Sequence, residues 1–314
     1  MNAAGPAPTF DCRQAFAEEL IALARADRRI VAVCNDSVGS SNLTAFQKEF
    51  PDRLINVGIA EQNMVGVAAG LANGGFLPFV CAASPFLTGR SLEQVKADIA
   101  YNGYHVVLCG MSPGMSYGEL GPTHHSIEDI SWLRAIADLA IVVPADPAQT
   151  RAALRWAAGF GNPSFVRIGR FKVPAVSAEA DPFAFARADV LRDGRDVAIL
   201  ATGTMVARAL QAADDLRSRG IAARVVNVST IKPLDEAAVL AAARETRGIV
   251  TVEEGVVEGG LGAAVASLVV RYAPVKMRIL GVVGFAPTGD TAFLFDHFGL
   301  NRDGIAAAAL DILA

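Results

Sequence analysis

Glu61 closes an apolar run, Leu54-Ile55-Asn56-Val57-Gly58-Ile59-Ala60. It also opens a segment in which Met64, Val65, Val67, Ala68 and Leu71 recur at three- and four-residue spacing as far as Gly74-Gly75. The pattern predicts a short strand followed by a helix. An acid at that junction stands at the carboxyl end of a strand, the edge where open α/β sheets bind ligands. Two other residues have the types for proton transfer or stacking. His124, in Gly121-Pro122-Thr123-His124-His125, titrates near neutrality and suits both giving and taking a proton. Phe86, in Ser84-Pro85-Phe86-Leu87, follows an apolar strand and offers a flat face. Each also has a plainer use: Glu61 as a partner of the helix dipole, Phe86 as a core aromatic, His124 as a surface residue beside a helix cap.

The elements that must position these residues alternate along the chain. A helix is predicted from Phe16, Leu20 and Leu23, then a buried strand at residues 30–34 ending in Asn35-Asp36-Ser37. Strands recur at residues 54–57, 77–82, 105–109, 140–143 and 164–168, with helix-like segments between them. Such alternation predicts a parallel sheet covered on both faces. Glycine and proline make residues 112–122 a long ordered loop, and loops of that length are usually functional. Residues 173–193 read as a linker around an edge strand. A second α/β unit follows, with strands at 197–201, 223–228, 248–252 and 277–281. The expected organisation is therefore α/β with two doubly wound domains, residues 1–172 and 194–314. Gly259-Gly260-Leu261-Gly262 opens a helix but lacks the spacing and lysine of a phosphate loop, so close helix-to-strand packing is its expected use.

Composition narrows the partners. A net charge of −4 without a basic block points away from nucleic acid and anionic membranes. No apolar run reaches the roughly 18 residues of a membrane span, and residues 1–9 lack the order of a signal peptide, so a cytoplasmic location is expected. Cys12, Cys34, Cys81 and Cys109 have no metal-like spacing and read as reduced, buried thiols. With 52% hydrophobic and 19% charged residues, burial between subunits is also expected.

The wording of the motifs adds a resemblance. Asn56-Val57-Gly58-Ile59-Ala60-Glu61-Gln62-Asn63-Met64 resembles the motif of the transketolase and 1-deoxyxylulose-5-phosphate synthase family, and Gly121-Pro122-Thr123-His124 resembles the family's Gly-Pro-Thr-His. The resemblance implies a thiamine-diphosphate-binding fold followed by a transketolase C-terminal-like domain. It gives Glu61 the part of the acid at the pyrimidine N1′ of thiamine diphosphate, where a dry pocket would favour the neutral carboxyl. Phe86 matches the ring that stacks on the pyrimidine, with Arg90 a cofactor neighbour and Asp36 near the thiazolium. His124 matches the histidine facing the reacting carbon, Arg170 the arginine at the substrate's far end, and Ser41 a substrate neighbour. Two positions depart from the transketolase pattern: Leu120 replaces an aspartate that reads a sugar hydroxyl, and Ser112 replaces a channel histidine.

The family's Gly-Asp-Gly, which holds magnesium and diphosphate, occurs nowhere in the 314 residues. The resemblance thus implies the second subunit of a split transketolase, moving a two-carbon ketol unit between a ketose and an aldose, phosphorylated or not, on a sugar other than the standard pentose phosphates. Thiamine diphosphate and Mg²⁺ would be shared with a separate diphosphate-binding subunit in a heterotetramer, the Mg²⁺ ligands lying on that partner. Two alternatives stand beside it. One is the beta subunit of a 2-oxo acid dehydrogenase, whose glutamate motif usually reads Thr-Pro-Ile. The other is a non-catalytic partner subunit, which the joint presence of Glu61, Phe86, His124 and Arg170 argues against.

Overall fold

A computed structural model describes residues 8–177 and 182–314. Four residues of the expected linker, 178–181, and most of the amino-terminal stretch weighed for a signal peptide lie outside the described residues. The first part of the chain runs β1 (Phe10–Asp11), α1 (Cys12–Ala26), β2 (Ile30–Cys34), α2 (Thr44–Glu49), β3 (Leu54–Asn56), α3 (Glu61–Asn73) and β4 (Leu77–Ala83). It continues through α4 (Leu92–Gln94), β5 (Val107–Met111), α5 (Asp129–Arg134), β6 (Ala140–Val142), α6 (Pro147–Phe160), β7 (Ser164–Ile168) and β8 (Lys172–Val173). The second part holds β9 (Asp189–Arg192), β10 (Val197–Ala201), α7 (Met205–Ser218), β11 (Ala223–Asn227), β12 (Thr230–Lys232) and α8 (Glu236–Glu245). It ends with β13 (Gly248–Val256), α9 (Leu261–Tyr272), β14 (Lys276–Val282), α10 (Thr291–His297) and α11 (Arg302–Leu313).

The first sheet has the order β12-β6-β7-β5-β4-β2-β3, parallel throughout except at β12. Alternate residues of each strand face opposite layers, as the pleat requires. Ala32, Cys34, Phe79, Cys81 and Val166 pack with Phe16 and Leu20 of α1 and Leu154 of α6. Val33, Val80, Leu108 and Phe165 pack with Met64, Val65 and Ala68 of α3 on the other side. That second layer continues without a break to Ala198, Leu200, Ile249 and Val265 of the second unit, so one apolar layer is common to both sheets. The second sheet, β14-β13-β10-β11-β9, is parallel apart from its edge strand β9 and is covered on its far face by α7 and α11.

Three expectations are revised. The fourth strand of the first sheet spans Val107–Met111 rather than 105–109, because the backbone of Tyr104 turns back to Ile99 and leaves His105 outside the ladder. The strand expected at 248–252 extends to Val256 and carries two buried acids, Glu253 and Glu254. Residues after β11 contribute β12, which pairs antiparallel with β6, Thr230 opposite Val142, and so adds a strand from the second unit to the first sheet. The glycine-rich start of α9 does serve packing: a Cβ on Gly262 would lie 2.3 Å from Ile279 Cγ2. Glu253 accepts the free N–H groups of Leu261 and Gly262 at 2.8 Å each, so a protein carboxylate caps that helix. All four cysteines are buried free thiols, and burial pushes Cys34 up to about 11.

Candidate active site

Strand ends bring the site together. In the parallel part of the first sheet Cys34 is level with Asn56 and Cys81, Ala83 with Met111, and Met111 with Ile168. The segments leaving those ends carry Asn35 and Asp36, Glu61, Phe86, Ser112 and Arg170, all on one edge of the sheet.

Glu61 is the first residue of α3 and is 4% exposed. Its Oε1 accepts from Asn35 Nδ2 at 2.7 Å and from Arg90 Nη1 at 2.9 Å. Burial pushes its carboxyl upward, but its own backbone N–H, Asn35 and Arg90 outweigh burial and hold it below the ordinary glutamate range. Burial alone argues for the neutral acid, and these three donors act in the opposite direction. The turn ahead of it is fixed by Asn56, whose Oδ1 accepts from the N–H groups of Gly58 and Asp36 and whose Nδ2 donates to Asp36 Oδ1. Gly58 and Asp36 both have left-handed backbones, with φ of 74° and 64°. Asp36 is thus exposed and engaged in this turn.

Phe86–Arg90 forms a single π-helical turn, which widens the backbone by one residue and carries Arg90 back over its own start. The Arg90 guanidinium lies 4.1 Å from the Phe86 ring centre. On the same ring, His124 packs edge-on at 5.3 Å, and Tyr117 contacts His124 at 6.1 Å. Thr123 Oγ1 is 2.9 Å from His124 Nδ1, which leaves Nε2 as the nitrogen available to a ligand. Arg170 rests over the Tyr117 ring at 4.9 Å. Leu120, 54% exposed, lines a cleft of about 590 Å³ together with Tyr117, Arg170, Lys172 and Asp290.

The remaining expected residues stand differently. Ser41 is fully enclosed, its Oγ 3.0 Å from Ser37 Oγ. Ser112 is also fully enclosed, with φ of 53° and an Oγ that has no hydrogen-bond partner. Both stand behind the residues that line the cleft. Asn35, Tyr117 and Thr123 belong to the site and were not singled out by sequence. Asn35 carried a signal as the first polar residue after β2, Tyr117 as a member of the 112–122 loop and Thr123 as a member of Gly-Pro-Thr-His. Among the described residues no group of three or more His, Cys, Asp or Glu is arranged to hold a metal ion.

A buried carboxylate, an aromatic face and a histidine thus stand together at the carboxyl edge of a parallel sheet in an α/β chain, beside a polar cleft. Comparison with known proteins names the class. Residues 9–175 match the family model "Transketolase, pyrimidine binding domain" and residues 186–305 match "Transketolase, C-terminal domain". The chain is 44% identical over 304 residues to an apulose-4-phosphate transketolase subunit of Phocaeicola vulgatus, covering 96% of this chain and 97% of that one. It is 41% identical over 301 residues to the 6-deoxy-6-sulfo-D-fructose transketolase subunit SqwH of Clostridium sp., covering 96% and 94%. A solved split-gene transketolase, described as an inactive beta4 tetramer, superposes with a TM-score of 0.90 at 37% identity, covering 97% and 98%. Transketolase from Campylobacter jejuni shares the fold, with a TM-score of 0.83 at 22% identity, and this chain spans 48% of its length. The chain belongs to the transketolase family, a family of thiamine-diphosphate-dependent transferases, and corresponds in extent to the second subunit of a split transketolase. No helix among the described residues is long and apolar enough to cross a membrane.

Proposed function

We propose that this chain supplies the pyrimidine-binding and proton-handling half of a two-subunit transketolase that acts on a sugar other than the ordinary pentose phosphates. The observation that carries this reading is the convergence of Glu61, Phe86 and His124 from three separate segments onto one sheet edge. The residues fit the pyrimidine of thiamine diphosphate. Phe86 offers a face, Glu61 a carboxylate, and Asn35 Oδ1 is a buried acceptor without a hydrogen-bond partner. Bound thiamine diphosphate would supply the carbon nucleophile for cleaving and joining the carbon–carbon bond. In this reading Glu61 holds a proton at N1′, Phe86 and Arg90 border the ring, and Asp36 fixes the turn beneath it. His124 moves a proton at the sugar hydroxyl, and Arg170 takes the far end of the substrate. Ser41 and Ser112 shape the wall from behind, while Leu120 sets the rim.

The reading keeps two units, residues 1–172 and 194–314, joined by 173–193, in line with the two large sheets and two family matches. It places the Mg²⁺ ligands on an amino-terminal diphosphate-binding subunit, in a hetero-oligomer and most simply a heterotetramer. Four free thiols agree with a cytoplasmic setting. The choice of sugar rests on the relatives whose names carry apulose 4-phosphate and a sulfofructose, together with Leu120 in place of an acid.

Calorimetric titration with thiamine diphosphate and Mg²⁺ tests the division of labour. Weak binding by the isolated chain, and binding at least tenfold tighter once the partner is added, is the expected result. Tight magnesium-dependent binding by the isolated chain would overturn it.

A further inference from the structure

Residues 112–128, between β5 and α5, carry Tyr117, Leu120 and His124. Its own structure is a 3-10 turn at Gly118–Leu120 and an antiparallel bridge in which Gly114 and Ser126 exchange N–H to carbonyl bonds of 2.9 and 2.7 Å. The second unit adds hydrogen bonds at several points along it. Glu254 Oε1 accepts the Met115 N–H at 2.6 Å, and Thr204 Oγ1 donates to the other carboxyl oxygen at 2.9 Å. Gly114, at φ 63°, makes room for that carboxyl: a Cβ there would lie 2.3 Å from Glu254 Cδ. Further along, the Gly289 N–H donates to Gly118 O at 3.1 Å, and a Cβ on Gly121 would lie 2.5 Å from Thr288 Oγ1. At the far end the Val256 N–H donates to Ile127 O at 2.8 Å.

The first unit closes the circuit from behind. Arg167 donates to Glu254 O at 2.8 Å, to Ser126 O at 3.1 Å and to Asp129 Oδ2 at 2.9 Å. Ser84 Oγ donates to the same Asp129 oxygen at 2.8 Å, two residues before Phe86. One enclosed polar chain therefore runs from the His124 loop through Glu254, Arg167 and Asp129 to the start of the Phe86 turn. Stability is a poor account of such a chain, because apolar side chains of similar volume would fill the space with no desolvation penalty. Burial pushes the Glu254 carboxyl up to about 7 even with Arg167 nearby, which measures how unfavourable that place is for a charge. A fixed acceptor at Met115 is what an apolar residue would not provide.

We propose that Glu254 is a positioning residue for the His124 loop, through which the carboxy-terminal unit sets where His124 stands relative to Phe86 and Glu61. The proposal rests on the reading of His124 as the group that faces the sugar. The test compares wild type, Glu254→Ala and Glu254→Gln in the pair reconstituted with the diphosphate-binding subunit. Amide exchange over residues 112–126 is followed by mass spectrometry, and ketol transfer and thiamine diphosphate binding are measured alongside. In Glu254→Ala, exchange across the loop is expected to quicken and kcat to fall about tenfold or more, as for a misplaced catalytic group. Cofactor Kd should stay within about twofold, because the Glu61 pocket is untouched. Glu254→Gln keeps an acceptor for Met115 and should restore kcat to within about threefold of wild type. If the alanine variant does not fold, Glu254→Asp, one methylene too short to reach Met115, takes its place. Unchanged loop exchange, unchanged kcat, or a glutamine variant as impaired as alanine would overturn the proposal. A wild-type pair with no ketol transfer would defeat the functional reading instead, and the loop exchange would then decide the positioning claim by itself.

Discussion

Arg90 and Glu61 pair at 2.9 Å across the mouth of the site while the same guanidinium lies over the Phe86 ring. A planar cation thus occupies the carboxylate and the ring face that the pyrimidine reading assigns to the cofactor. Arg90 is half exposed, so its hold on Glu61 is screened by water and amounts to about 1 kcal/mol or less. A carboxyl held below its ordinary value contributes stability above pH 4.5, and that stability is lost as the pH falls through the folded-state value. Arg90→Ala should raise the Glu61 titration midpoint and lower stability at pH 7, with the difference shrinking as the pH falls through the folded-state value. Carbon-detected NMR titration with parallel denaturation measures both. An unmoved midpoint would show that Asn35 and the helix N–H suffice.

Glu61→Gln should leave the fold intact, since the amide still fits beside Asn35. In the assembled enzyme it should slow hydrogen–deuterium exchange at the thiazolium C2 by about 10²–10⁴, the usual effect of losing a positioned acid. Exchange at the wild-type rate would remove Glu61 from the chemistry.

Leu120 cannot accept a hydrogen bond, so a sugar hydroxyl pressed against it would be left unpaired at about 1–3 kcal/mol. The reconstituted pair should therefore turn over xylulose 5-phosphate and ribose 5-phosphate weakly, and Leu120→Asp should raise that activity several-fold or more. A panel of pentose, branched and sulfonated sugars provides the measurement. If the standard pentose phosphates react best and Leu120→Asp changes nothing, Leu120 has no part in sugar choice.

Stability should fall as pH rises from about 5 to 7. Glu254 is enclosed by Met115, Thr204, Arg167 of β7 and Arg208 of α7, and burial dominates, lifting it from 4.5 to about 7. Between those values the folded chain keeps a proton that the unfolded chain releases, so unfolding becomes easier with rising pH and the effect levels off above 7. The full shift corresponds to roughly 3 kcal/mol. Glu254→Gln should flatten much of this slope in denaturation series between pH 5 and 8. A remainder should persist from Glu253, which burial lifts to about 6. An unaltered slope would assign it to other groups.

The strands were legible because Val, Ile and Cys run together between glycine and polar stops, and the parallel alternation followed from them. Glu61, Phe86 and His124 were legible because each follows a strand end or a glycine-proline stop. Arg90 was named only through the resemblance, and its approach to Glu61 was not legible, since it depends on a π-helical turn that leaves no periodic mark. Asn35 stands in plain view after β2, yet only the packing of β2 against β3 aims it at Glu61. Glu253 and Glu254 look like a polar end to an apolar strand; their enclosure is decided by Arg167, Thr204 and the start of α9, all distant in sequence. The ionisation of Glu61 likewise turns on neighbours, because burial alone argues for the opposite sign.

The stitch made by β12 has a practical consequence for anyone dividing this chain. Ending a shortened version at residue 193 would unclothe the edge of β6, where Ile141 and Val142 sit in the ladder, and expose the apolar layer that Ile231 and Val228 now cover. Bare edges of that kind recruit strands from other molecules. The pyrimidine-binding unit is therefore no detachable cassette. Exchanging carboxy-terminal units among relatives would require carrying Thr230–Lys232 and its β6 counterpart together, as one seam.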